Sequence, residues 1–270
     1  MKKQDLLTPI GLILGFLLVL YGMSNGDSGL GIFYDLSSIA ITVGGSFSAL
    51  LVTYSLKEIK LFFKLSSKLF VINRYDKTAL LLLFRNLSKK VRRNGGNLLS
   101  LEDDIRNIDD KYLRQGLELY IDSVPARIIA GVLEVSTQEL ITSYTTVSKM
   151  YKTWGSFAPA FGMVGTLIGL IQMLAGMNSP ETIASGMASA LITTFYGALL
   201  ANLILIPLGL NLQNKAESET NYREMAMTGI LSLKNGDSTK IMEDKLINFL
   251  STEERLAYLR KSSDEINNSR

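Results

Sequence analysis

Four stretches of this chain are apolar over a length that crosses a bilayer, and the residues between them are polar. The first runs from Leu7 to Met23, the second from Ile32 to Leu56, the third from Thr153 to Met177 and the fourth from Ile183 to Leu210. A hydrocarbon core of about 30 Å needs roughly 20 mostly apolar helical residues, so each stretch predicts a membrane-spanning helix. Ser24-Asn25-Gly26-Asp27-Ser28-Gly29 and Asn178-Ser179-Pro180-Glu181 are turn-forming links. They pair the spans into two helical hairpins. Lys2 and Lys3 before an apolar run resemble a secretory leader, but no A-x-A pattern follows, and the first run is read as a retained helix. In the polar block, Ala79 to Val91 has apolar positions at helical spacing, and Asn94-Gly95-Gly96-Asn97 ends it. Ser100 and Asp103 resemble a capping box with aspartate in place of glutamate. Ile128, Ile129, Val132 and Leu133 keep helical spacing, so 112–150 is expected to enter span three as one helix. The predicted fold is all-α, a polytopic membrane protein with four transmembrane helices and a helical cytoplasmic domain. Its expected divisions are 1–56, 57–150, 151–210 and 211–270.

Charge orients this arrangement. No Lys or Arg lies between Lys3 and Lys57 or between Lys152 and Lys215, and Glu181 is the only carboxylate in the second gap. The block 57–150 holds 16 Lys/Arg and 11 Asp/Glu, and the tail 211–270 holds nine and ten. The positive-inside rule places both termini and the large block in the cytoplasm, with both short links outside, in a multi-pass protein of the cytoplasmic (inner) membrane. The net charge of +3 reads as loops facing an anionic leaflet, not as nucleic-acid binding. Cysteine and histidine are absent. That excludes a thiolate nucleophile, a thiol metal site, a Ser–His triad and an imidazole relay, and the chain is read as no enzyme and as needing no cofactor.

Spans three and four each carry a small-residue face. Pro159, Gly162, Thr166 and Gly169 recur at intervals of three, four and three, with Gly155 and Gly176 extending them. Gly186, Ala190, Thr194, Gly197 and Ala201 form the matching face of span four. Such faces let helices approach closely in lipid, either each other or a third helix. One reading is packing alone, since threonine hydroxyls often bond the i−4 carbonyl. The other is a polar path, because Thr166 and Thr194, with Thr193 beside one of them, sit mid-span at matching depth. Pro159 and Pro207 free carbonyls that can coordinate an ion or water, although Pro207 also reads as a helix end. Asp35 and Glu181 lie near the outer surface and away from the mid-depth, where ion-relay carboxylates mark a pathway. Any proton path through these spans therefore needs an acid from another chain.

The segments Ala158-Pro159-Ala160-Phe161-Gly162-Met163-Val164-Gly165-Thr166-Leu167-Ile168-Gly169-Leu170 and Thr193-Thr194-Phe195-Tyr196-Gly197-Ala198-Leu199-Leu200-Ala201-Asn202, followed by Pro207, resemble the MotA stator subunits of the bacterial flagellar motor. These belong to the MotA/ExbB/TolQ proton-channel family. The likeness covers essentially the whole chain, including four spans with a large loop between the second and third. It implies a homopentamer around two copies of MotB, each supplying one membrane helix with an ion-carrying aspartate. It also implies that Pro159, Gly162, Thr166, Gly169, Thr193, Thr194 and Pro207 line the ion path or face MotB. The transported ion would be a proton, or sodium. Arg92 or Arg93, together with Glu102, match the family's charges that contact the rotor protein FliG, although extra residues separate glycine from glutamate here. ExbB/TolQ-type subunits, which energise envelope transport, usually have one span before the large loop, and the hairpin Leu7–Leu56 argues against that alternative. A membrane scaffold without ion coupling is the remaining one.

Overall fold

The computed structural model describes residues 2–4, 7–24, 29–67, 69, 71–73, 75–93 and 101–268. Helix α1 (Leu7–Ser24) is the first span, and none of its residues is buried within the protomer. The second span is composite: a 3₁₀ turn at Leu30–Phe33, α2 (Leu36–Ile39), a π-helical stretch at Ala40–Gly45 and α3 (Ser46–Thr53). Asp35 caps α2, its carboxylate accepting from the Ser37 and Ser38 amides at 3.2 Å each and from the Ser38 hydroxyl. This carboxylate is thus committed to a helix start.

The chain then turns sharply. Tyr54 is extended, and Ser55 opens α4 (Leu56–Ser66) with a complete capping box to Glu58. Beyond α4, β2 (Val71–Asn73) pairs antiparallel with β1 (Lys2–Gln4), a three-residue ladder beside an otherwise helical fold. There follow α5 (Lys77–Arg93), α6 (Glu102–Arg106), α7 (Lys111–Ile121), α8 (Ala126–Ala175), α9 (Pro180–Leu199), a π-helical stretch at Leu200–Leu205, α10 (Ile206–Lys234), α11 (Thr239–Ile247) and α12 (Thr252–Asn268). Among the described residues, four helical segments are long and apolar enough to cross a membrane. The expected helix through 112–150 is interrupted once. Ser123 takes φ 59, and Val124 N returns to Leu119 O, so the chain turns ahead of Pro125. From Ala126 the helix runs unbroken to the end of span three. Ser100, half of the expected capping box, lies outside the described residues.

The chain divides into two compact units, one of Met1–Asn73 with Ser143–Asn214, the other of Arg74–Thr142 with Lys215–Arg270. Of the three boundaries, the first follows β2 and the other two fall inside helices, α8 and α10. Residues 74–142 of the 57–150 block and 215–270 of the tail therefore share one unit, while 57–73 and 143–150 belong to the other. Its core brings together Leu81, Phe84 and Leu117 with Leu133, Ile230 and Leu246, all at 3 % exposure or less. The tail supplies the other wall of a core that 74–142 alone leaves open to water. Over that core Arg223 stacks 4.7 Å from the Tyr112 ring, pairs with Glu219 at 2.9 Å and donates to Ser136 O at 3.1 Å. Burial pushes the Tyr112 hydroxyl's pKa up.

Candidate functional site

In the first unit, α8 and α9 meet along a seam built from their smallest residues. A methyl group placed on Gly169 would lie 2.6 Å from Gly186 O and 2.8 Å from Ala190 N. One on Gly186 would lie 2.7 Å from Gly169 O, so the two helices are in reciprocal backbone contact. At Gly197 the obstacle is Ala158 O at 2.7 Å, with Pro159 Cα at 3.1 Å. Gly162 is looser, 3.1 Å from Thr193 O. Lipid offers no hydrophobic drive for association, so this proximity is what stabilises the hairpin, through dispersion and close packing. Within the protomer the two glycine faces meet each other.

Proline 159 sits inside α8 without ending it. It denies the Gly155 carbonyl its ordinary helical partner and stands half-buried at the seam's edge. Thr193 is 1 % exposed. Its hydroxyl bonds Ala190 O at 2.9 Å and Ser189 O at 3.0 Å, and its methyl fills the space over Gly165. It is a filler of the seam within the protomer.

Thr166 and Thr194 differ. Thr166 is half-buried, Thr194 is exposed, and their hydroxyls touch at 2.6 Å. Thr166 also lies 3.0 Å from Gly162 O and 3.2 Å from Ala190 O, whereas Thr194 reaches Ala190 O only at 3.4 Å. Two protons serve these contacts. The short distances are satisfied when Thr166 donates to a carbonyl and Thr194 donates to Thr166. Thr194 Oγ1 then keeps unspent acceptor capacity on the open side of the hairpin, where it can receive a proton donor or contact a cation. The pair is a polar point on an apolar wall that includes Met163, Leu167 and Leu191, all more than 60 % exposed. It has no acid beside it: between Lys152 and Lys215 the only carboxylate is Glu181, in the first turn of α9.

Pro207 lies elsewhere. It is thirteen residues beyond Thr194, about 20 Å along the helix. It is no helix end, since α10 continues to Lys234. The π-helical stretch just before it absorbs the missing N–H bond. With Thr8, Asn202 and Asn211 it lines a 290 Å³ crevice against α1, in which Asn211 Nδ2 donates to Thr8 Oγ1 at 2.9 Å.

A further set of polar residues was not singled out from the sequence. Ser38, Thr42 and Ser46 are fully buried at successive i+4 positions of span two. Thr42 donates to Ser38 O at 2.6 Å, and Ser46 bonds Thr42 O and accepts from Trp154 Nε1 at 3.0 Å. The Ser38 hydroxyl also reaches Ser189 O. This ladder fixes span two against spans three and four, and its four-residue period was the readable signal.

The charged candidates Arg92, Arg93 and Glu102 fall in the second unit. Arg92 donates to Asp237 O at 3.1 Å, while Arg93 next to it is exposed. Glu102 opens α6 and pairs with Arg106 at 2.6 Å, both groups well exposed. The intervening 94–100 lie outside the described residues. Among the described residues no cluster of His, Cys, Asp or Glu has metal-binding geometry.

Comparison with known proteins agrees with this architecture. The model of the MotA/TolQ/ExbB proton channel family matches residues 104–225. Motility protein A of Borreliella burgdorferi is 37% identical over 93% of this chain and 96% of its own length. Chemotaxis protein PomA of Vibrio alginolyticus is 32% identical over 93% and 98%. A chain of the flagellar MotAB stator complex from Bacillus subtilis superposes with a TM-score of 0.84 at 28% identity, covering 92% of this chain and 97% of that one. With four spans, a glycine-locked hairpin and full-length relatives of this kind, the chain belongs to the MotA/TolQ/ExbB proton channel family.

Proposed function

We propose that this chain is a flagellar motor stator subunit of the inner membrane that, with a MotB-type partner, couples ion flow to torque on the rotor. The observation that carries the reading is the Thr166/Thr194 pair, an exposed acceptor on a rigid apolar wall with no carboxylate of its own. Relatives named for motility and the MotAB stator structure support it. The subunit is a motor component and not an enzyme.

In this mechanism the partner's membrane helix brings an aspartate to the wall. The carboxylate is ionised where it meets water and neutral against Met163, Leu167 and Leu191, because burying the charged form is costly. Thr194 Oγ1 offers a hydrogen-bond partner at the transfer point. A membrane potential of 100 mV supplies about 2.3 kcal/mol per charge, a few RT and enough to bias stepwise motion. Protons are the carried ion in this reading, with sodium as the alternative. Five copies surround two partners, with both termini and the second unit in the cytoplasm. There Arg93 and Glu102 face complementary charges of FliG, and Arg92 braces the Asp237 loop. The glycine seam holds each wall rigid while the partner re-registers.

Reconstitution tests this. The chain alone in liposomes is expected to be ion-tight, and co-reconstitution with an activated MotB-type partner is expected to produce proton flux. Selective cation flux through the chain alone refutes the division of labour.

A further inference from the structure

Helix α4 has two unlike faces. Its inner face belongs to the protein. Phe62 and Leu65 are 4 % exposed, the Phe62 ring stands 4.6 Å from Tyr151 and 6.3 Å from Trp154, and Ser66 Oγ meets Tyr151 Oη at 2.7 Å. Its outer face is Leu56, Lys57, Lys60, Phe63 and Lys64, all exposed, Leu56 at 80 % and Phe63 at 59 %. Large apolar side chains interleaved with lysines suit neither water nor hydrocarbon. They suit the boundary, where the rings and branches enter the acyl region and the ammonium groups snorkel to headgroups.

The depth of α4 agrees. Span two ends at Thr53, and α4 starts two residues after Tyr54, whose hydroxyl meets Thr153 Oγ1 at 3.0 Å. Tyr54, Tyr151, Trp154 and the cation Lys152 thus mark one level at the polar end of span three, as aromatic belts mark an interface. The charge is also free to act outward. The single carboxylate of α4, Glu58, accepts from the Ser55 amide at 2.8 Å and the Ser55 hydroxyl at 2.7 Å. That bonding holds its pKa below the ordinary range and spends it on the cap. Among the described residues, none of the three lysines makes an ion pair.

We infer that the outer face of α4 is a binding surface for anionic phospholipid headgroups, with Lys57, Lys60 and Lys64 contacting the phosphates and Leu56 and Phe63 anchoring the helix in the acyl boundary. The surface is separate from the Thr166/Thr194 wall. It follows from charge complementarity and from continuity with span two, and it holds whichever ion the motor uses.

The chain lacks cysteine, so Ser67→Cys at the exposed end of α4 gives one labelling site in the full-length protein. The labelled protein is reconstituted into phosphatidylcholine vesicles carrying phosphatidylglycerol or phosphatidylcholine with a spin label near the headgroup, and fluorophore quenching is compared. The phosphatidylglycerol is expected to bind about threefold or more tightly, an advantage well within what three interfacial lysines supply. Adding salt is expected to lower the ratio. The combined Lys57→Gln, Lys60→Gln and Lys64→Gln variant is expected to bring it to about one while phosphatidylcholine quenching persists, and the three arginine replacements are expected to keep it. Should the glutamine triple fail to fold, the three single replacements must each lower the ratio. Equal quenching by both lipids, or a preference that survives the glutamine variant, overturns the proposal. Quenching by neither lipid overturns it too, since protein would then cover this face. None of these results bears on ion flux, which the reconstitution with partner reads separately.

Discussion

Replacing Gly169 by alanine tests whether the α8–α9 seam is as tight as its geometry implies. The new methyl would stand 2.6 Å from Gly186 O and 2.8 Å from Ala190 N. Carbon and oxygen ordinarily rest at about 3.3 Å or more even in close helix contacts, so the helices must part locally by about 0.7 Å. Both obstacles are backbone, and no side chain can rotate away. A gap of that size forfeits about a quarter to a half of the dispersion well for the atoms lining it. Overpacking of this kind costs about 1–3 kcal/mol. Gly131→Ala in the same helix is the control, because a methyl there meets nothing within 4 Å and should gain up to about 1 kcal/mol of helix propensity. Gly162→Ala should fall between them, its nearest obstacle lying at 3.1 Å, and Gly162→Leu should abolish assembly. The assay is the thermal midpoint of the detergent-purified complex, followed by size exclusion after heating, at roughly 2–4 °C per kcal/mol for a chain of this size. If Gly169→Ala melts with Gly131→Ala at or above the wild-type midpoint, the reciprocal backbone contact is wrong.

Other substitutions separate the roles of individual side chains. Thr194→Val is expected to reduce partner-dependent proton flux at least tenfold with the complex intact, and Thr194→Ser to retain most of it; unchanged flux in the valine variant removes the hydroxyl from the path. Glu102→Lys breaks an exposed pair worth less than about 1 kcal/mol, so the protein should stay folded while torque under load falls and ion leak does not change; normal swimming under load would rule out the rotor contact. Asp237 accepts from Lys245 and Ser232, and these bonds hold its pKa below the ordinary aspartate value. Its contribution to stability is therefore present above the unfolded pKa of about 3.9 and fades as pH falls through the lower folded value. Asp237→Asn should thus be less stable than wild type at neutral pH and converge with it in acid, and a deficit that persists unchanged below pH 3 would contradict the assignment.

The four spans were legible because lipid imposes one rule, length without charge, that composition alone satisfies. Span boundaries read from the sequence fall within a few residues of α1, of the end of α8 and of the start of α9, whereas Thr153 and Leu210 lie inside longer helices that run on past them. The centre of the seam was less legible. Positions 162, 166 and 169 and positions 162, 165 and 169 occupy nearly one face at 100° per residue, and only the approach of α9 decides that Gly165 faces Thr193 while Thr166 stays at the edge. The π-helical stretches at Ala40–Gly45 and Leu200–Leu205 leave no signature in composition. Nor does the pattern of 215–268 show which other segment covers its apolar positions, since that pairing is long-range. Arg92 and Arg93 are adjacent and chemically identical; only the structure shows that Arg92 reaches the carbonyl of Asp237, distant in sequence.

The split composition of the second unit has a consequence for biosynthesis. Phe84 and Leu117 emerge from the ribosome long before Ile230 and Leu246, the residues that cover them. The two membrane hairpins are therefore synthesised before the core of the second unit is complete, and that core can close only near the end of translation. A chain ending before Lys215 would lack Ile230 and Leu246 and leave Phe84 and Leu117 without the apolar cover they have in the finished subunit.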